Sequence, residues 1–224
     1  MRRGWVIALV AIVVIGVALW YFTRDNEQTA AFRARASATR MLGEYLGKKF
    51  PNARVVLISN PFTQSGAPPD LVKMEQAGID GLRQGFGSKT KLNVAYPELK
   101  PGAASNPRTF LTDPETATPL SYLVAEDSFD KLAAESDVVV SLIGLPVAIE
   151  KVQCWQKAGK PAFGLLLPDL RIIGRVAEVQ KAFASGKLAA FVLAQPGGSK
   201  DQFLLVTAEN VEQLVKQYPK LLPD

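Results

Sequence analysis

Five apolar runs in this chain end in short polar tips, which hold most of the side chains able to do chemistry. The tips read Ser59-Asn60-Pro61, Tyr96-Pro97-Glu98, Gly144-Leu145-Pro146, Pro168-Asp169 and Gln195-Pro196-Gly197-Gly198. Each carries a proline, which ends a strand and stiffens the loop. Ser59, Asn60, Glu98, Asp169 and Gln195 supply hydroxyl, amide and carboxylate groups, a set suited to hydrogen-bonding a small polar ligand. The same residues have plainer readings. Asp169 precedes an apolar-periodic stretch and suits a helix N-cap. Asn60-Pro61 suits a turn, Glu98 a solvated loop, and Gly197-Gly198 a flexible turn rather than a phosphate cradle.

The sequence assigns no catalytic residue, no metal ligand and no cofactor. It contains no histidine, so the commonest metal ligand, the usual general base and every Ser-His or Cys-His arrangement are missing. The single cysteine, Cys154, lies between Gln153 and Trp155 and reads as a partly buried structural thiol. Neither G-x-G-x-x-G nor G-x-x-x-x-G-K-[ST] occurs, so nothing points to a nucleotide. The acids are scattered and form no evident acid/base pair.

The elements around these tips alternate. Arg54–Ser59, Leu92–Tyr96, Asp137–Ile143, Ala162–Leu167, Leu188–Leu193 and Phe203–Val206 read as strands. Thr29–Phe50, Asp70–Phe86, Leu120–Glu135, Val147–Ala158, Leu170–Ala184 and Asn210–Tyr218 read as helices. Val147–Ala158 turns Ala148, Val152 and Trp155 inward, and Leu170–Ala184 turns Leu170, Ile173, Ala177 and Ala184 inward. Lys100–Pro119 holds four prolines and reads as a long loop. Strands apolar on both faces imply a sheet covered on both sides, and intervening helices imply parallel strands. The expected fold is α/β: a three-layer α/β/α Rossmann-like domain with a mostly parallel sheet of five or six strands, preceded by one transmembrane helix.

Trp5–Phe22 (WVIALVAIVVIGVALWYF) has no charged side chain. At a 1.5 Å rise it spans about 27 Å, close to the ~30 Å hydrocarbon core. Trp5 at one end and Trp20, Tyr21 and Phe22 at the other form an aromatic belt. The expectation is a signal-anchor helix in the lipid bilayer over residues 5–22. Residues 1–4 form a short cytoplasmic tail, 23–50 a juxtamembrane linker and helix, and 51–224 an α/β domain. The competing reading is a cleavable signal peptide, with Gly16-Val17-Ala18 at a cleavage spacing. Arg2 and Arg3 hold the N-terminus inside, although Arg24, Arg33, Arg35 and Arg40 follow the span. The expected location is therefore the inner membrane, with the soluble domain outside the cytoplasm. The net charge is +5, two units of it from Arg2 and Arg3, and no aromatics interleave the basic residues, so nucleic acid is not an expected partner.

Several motifs together resemble one lobe of the type I periplasmic binding-protein (sugar-binding and repressor-core) superfamily. Asn60-Pro61-Phe62 looks like that family's N-P-F turn at the ligand cleft, which adds Phe62 to the candidate ligand-binding residues. Glu75–Leu82 is similar to its following helix, Glu135–Val140 to a later strand, and Ala158–Phe163 to its helix–Gly–x–Pro–strand step. The resemblance covers roughly residues 52 to 198. It implies small-molecule binding at the strand tips, but family members close two lobes over the ligand and this length suits one, so a second chain would complete a cleft. The expected function is a membrane-anchored, non-enzymatic domain that binds a small polar ligand or serves a membrane complex as accessory subunit. The alternatives are an envelope enzyme using Asp169 or Glu98 as base, and a structural scaffold that forms a homodimer.

Overall fold

The computed structural model describes residues 2–64, 66–88, 90–103, 120–157, 159–199 and 201–223. From residue 104 on, the proline-rich loop lies outside these. The side chains of residues 5–22, Val13 apart, also lie outside the described ones, and with them the expectation of a membrane span. Among the described residues no helix is long and apolar enough to cross a membrane.

A single helix, α1 (Arg2–Lys49), opens the chain and runs for 48 residues. The sequence suggests a polar exit at Thr23–Gln28 followed by a separate helix. The helix instead passes straight through, since that stretch contains neither proline nor glycine to break it. The C-terminal part of α1 belongs to the domain core: Ala38, Leu42 and Leu46 are fully buried.

Six strands follow in one sheet: β1 (Arg54–Ile58), β2 (Lys91–Ala95), β3 (Val138–Ser141), β4 (Ala162–Leu166), β5 (Leu188–Ala194) and β6 (Phe203–Thr207). Their spatial order is β2-β1-β3-β4-β5-β6. The first five strands are parallel, while β6 pairs antiparallel to β5, Ala194 opposite Phe203. The connection from Ala194 to Phe203 is a tight turn, closed by Gln195 N donating to Gln202 O at 2.9 Å. A parallel return would need a crossover of a dozen or more residues.

Both faces of the sheet are covered, as the doubly apolar strands require. On one face Val55, Leu57, Val138, Val140 and Val192 pack with α1 and with α2 (Pro69–Phe86). On the other, Val56, Ile58, Val139, Phe163, Leu165 and Phe191 pack with α4 (Glu126–Ala133), α6 (Val176–Ala184) and α7 (Val211–Gln217). Burying each such Val, Leu, Ile or Phe side chain contributes about 1.5–3 kcal/mol.

Three expected helices are broken. Leu120–Glu135 divides into α3 (Leu120–Leu123) and α4, because Val124 bridges to Leu99 between them. Val147–Ala158 becomes a 3-10 turn at Ile149–Lys151 and the short α5 (Gln153–Gln156). Val152 between them is extended, and the Asp130 carboxylate accepts from Gln153 N (3.0 Å) and Cys154 N (2.6 Å), fixing a new helix start. Leu170–Ala184 becomes a 3-10 turn at Leu170–Ile172 and then α6, separated by Gly174 at φ +125°, a conformation closed to other residues. The inward face of α6 is Val179, Ala182 and Phe183; Ala177 and Ala184 point outward.

Candidate functional site

The strand order reverses direction between β1 and β3, and the crevice outside the carboxyl ends at such a switch point is where open α/β sheets place ligands. Ser59 and Asn60 follow β1 there. Both are buried, at 0% and 6% exposure. Ser59 Oγ donates to Glu75 Oε1 at 2.6 Å, and Asn60 N donates to the same oxygen at 2.9 Å. The other oxygen of Glu75 accepts from Arg35 Nη2 at 2.5 Å. A buried carboxylate in the middle of α2 therefore ties the β1 tip to α1.

This buried pair is geometrically tight. Glu75 is 4% exposed, and Arg35 Nε is buried without a hydrogen-bond partner among the described residues. Gly78 makes room for the guanidinium: a Cβ there would lie 2.9 Å from Arg35 Nε. Burying two charges is favourable only with good geometry and extra hydrogen bonds, and Ser59 and Asn60 supply those bonds to the carboxylate.

Beyond the pair, Asn60 shapes the tip itself. Its Oδ1 accepts from Phe62 N at 2.9 Å and caps the 3-10 turn Pro61–Thr63, while Thr63 Oγ1 donates to Asn60 O at 2.7 Å. Thus Ser59, Asn60 and Phe62 form one rigid turn. At the neighbouring β3 tip, Ser141 Oγ donates to Gly144 O at 2.6 Å, and Gly144 sits at φ +82°.

Asp169 lies at the same edge, after β4, and is buried. It caps the turn Leu170–Ile172, accepting from Arg171 N at 3.1 Å. Arg171 Nε and Nη2 hold its two oxygens at 2.9 Å each. A carboxylate committed to a cap and to a guanidinium suits a structural role and not a free base. Glu98 is well exposed and lies 3.4 Å from Lys131 Nζ. Gln195, half-buried, begins the β5–β6 turn, with Nε2 3.5 Å from Tyr218 Oη. The fold thus brings all six candidates to one edge, and only Ser59, Asn60 and Phe62 into one cluster.

Arg35 and Glu75 escape a reading by sequence. Arg35 looks like one of several arginines on a solvated helix face, and Glu75 like an ordinary helix acid. The available signal was polar: Glu75 falls on the α2 stripe that also carries Leu71, Gly78 and Leu82, where an acid stands out.

Away from this edge, Cys154 is half-buried, and burial together with the Asp130 carboxylate pushes its thiol up to about 12, so it is no nucleophile. Lys187 is buried at the opposite, amino edge. Its ammonium donates to the carbonyls of Cys154 (2.8 Å), Gly159 (3.0 Å) and Pro161 (3.4 Å), while desolvation lowers its pKa. Among the described residues no group of three or more His, Cys, Asp or Glu could hold a metal ion.

No protein-family model matches the sequence, and no curated protein matches it. Among solved structures the chain is similar to a glucose-galactose binding protein from Geobacillus stearothermophilus, at 11% identity and a TM-score of 0.45, covering 79% of this chain and 61% of that one. It is similar to a periplasmic ribose ABC transporter protein from Conexibacter woesei at 9% identity and a TM-score of 0.45, covering 81% and 60%. It is also similar to a periplasmic solute binding protein from Actinobacillus succinogenes with bound D-allose, at 13% identity and a TM-score of 0.42, covering 82% and 60%. The chain thus spans about three fifths of the length of these structures. The ribose and D-allose proteins are described as periplasmic. At such identities and scores the likeness does not extend to what this chain binds.

Proposed function

We propose that this chain is a membrane-tethered domain without catalytic activity, which binds a small polar ligand at the Asn60 edge or serves a membrane complex as accessory subunit. The tether is the apolar segment 5–22, and the domain stands on the extracytoplasmic side of the inner membrane. The observation that carries the reading is the Asn60 turn: a switch-point tip held rigid by a buried carboxylate, with no free base or nucleophile beside it among the described residues. Pre-ordered polar tips of this kind favour binding, because little freedom is lost when a ligand arrives.

The test has two arms. Thermal unfolding of the purified full chain is followed against a panel of polar metabolites, hexoses and pentoses included. In parallel, the chain is gently purified from native membranes. A stabilising ligand whose effect disappears in Asn60→Ala, or a stoichiometric membrane partner, is expected. A blank result in both arms would sink the proposal.

A further inference from the structure

The direction in which α1 leaves the domain decides which edge of the sheet meets the membrane. At its C-terminal end α1 leads through residues 50–53 into the start of β1, so that end lies at the amino edge. Lys49 Nζ there is 3.5 Å from Glu209 Oε1, just past the end of the antiparallel β6. Toward its N-terminus α1 crosses to the carboxyl edge. Arg35 meets the Glu75 that holds Ser59 and Asn60, and Gln28 Nε2 donates to Asp70 Oδ2 in the first turn of α2 at 3.2 Å. The same unbroken helix then continues to Arg2.

We infer that the carboxyl edge of the sheet faces the bilayer, with the start of α2 and the Asn60 turn standing over the lipid headgroups. This rests on the proposed anchor at residues 5–22. Gln28 lies six residues beyond Phe22, which is about 9 Å along the axis, and Arg35 about 20 Å. The headgroup layer accounts for roughly 5–8 Å on each side. The first turn of α2 therefore stands at the outer boundary of the headgroups, and the Asn60 tip about one helix diameter above them.

A second observation agrees. Apart from Val13 in the apolar segment, the exposed large hydrophobic side chains among the described residues are Val72 (41%) and Leu167 (38%). Val72 is near the start of α2 and Leu167 follows the end of β4, so both belong to the membrane-facing rim, beside exposed Pro68 and Pro69. The surface that faces the rim is thus the lipid interface. The gap left above the headgroups admits a small solute moving along the membrane plane. It does not admit a second globular domain, whose radius of gyration is about 13 Å even at 100 residues.

The test uses the full chain in lipid nanodiscs whose headgroups carry nitroxide, in a Cys154→Ser background. Single cysteines bearing a fluorophore replace exposed residues on the two sides. Gln64→Cys and Lys73→Cys report the rim, and Lys91→Cys and Lys157→Cys the amino edge, a strand length or about 17 Å further away. Loss of fluorescence at both rim sites, with both amino-edge sites unquenched, is expected. Equal quenching on the two sides, or the reverse order, in chains that stay with the discs overturns the orientation alone. Chains that fail to float with vesicles overturn the anchor and the orientation with it.

Discussion

Glu75 has two oxygens facing two different elements: Oε1 takes the Ser59 hydroxyl and Asn60 N–H, and Oε2 takes Arg35. Glu75→Leu would strand a part-buried guanidinium and two donors, a loss of up to about 3–5 kcal/mol. Glu75→Gln keeps an acceptor for Ser59 and Asn60 and should lose less. Denaturant unfolding of both variants checks this, and equal losses would show that the β1 tip does not depend on that acceptor. Two other acids contribute to the response to pH. The ammonium of Lys160 (2.7 Å), then Arg54 N, hold Asp137 down to about 2. The Thr207 side-chain hydrogen bond is the largest effect holding Glu209 to about 2. Both pKa values lie below those of the unfolded chain, so their stabilisation is complete above roughly pH 5 and fades as pH falls toward 2. The melting temperature should therefore drop across that window, and less steeply in Asp137→Asn. A flat profile from pH 5 to 2 would contradict the assignment.

At the scale of elements, the contact between α1 and α2 is made backbone to backbone. Gly43 on α1 faces Gly85 on α2, Gly47 lies against Phe86, and Gly81 lies against Ala36 and Thr39. A Cβ on Gly81 would run into Ala36 O and Thr39 Oγ1, and one on Gly85 into Arg40 O. Main-chain atoms cannot swing aside as side chains do, so Gly81→Val should cost at least the 1–3 kcal/mol typical of overpacking, or prevent folding. Gly87→Val is not a fair control, because its φ is +73°. Gln84→Val on the outer side of α2 is, and it should melt within a few degrees of the parent. Periodicity made α2 legible from its apolar stripe, and β1, β3 and β4 from their apolar runs. It misread α5 and α6, because their starts are set by Asp130, some twenty residues upstream, and by Gly174 at positive φ. A hydrophobic stripe carries no trace of either.

At the scale of the whole molecule, the C-terminal part of α1 is core, and its apolar N-terminal part is the proposed tether. Its Leu46 lies against Gly164 of β4, where a Cβ would come within 2.6 Å of Leu46 Cδ1. A chain starting at residue 27 should fold and remain soluble, whereas one starting at residue 51 should aggregate, because it uncovers one face of β4 and β5. Expression of both, with circular dichroism and light scattering, distinguishes the outcomes; a soluble, folded 51–224 piece would show that α1 is dispensable to the core.

The sequence by itself determined the alternation of strands and helices, the double covering of the sheet and the edge at which Ser59, Asn60, Phe62, Glu98, Asp169 and Gln195 gather. These follow from local apolar patterns and from prolines that end strands. Only the tertiary structure decided the strand order, the reversal at β6, the clamping of Asp169 by the Arg171 guanidinium and the meeting of Arg35 with Glu75 across 40 residues. The reason is physical: a local pattern records which face of an element is apolar, but which elements meet, and where a buried charge finds its partner, is set by packing among segments distant in the chain.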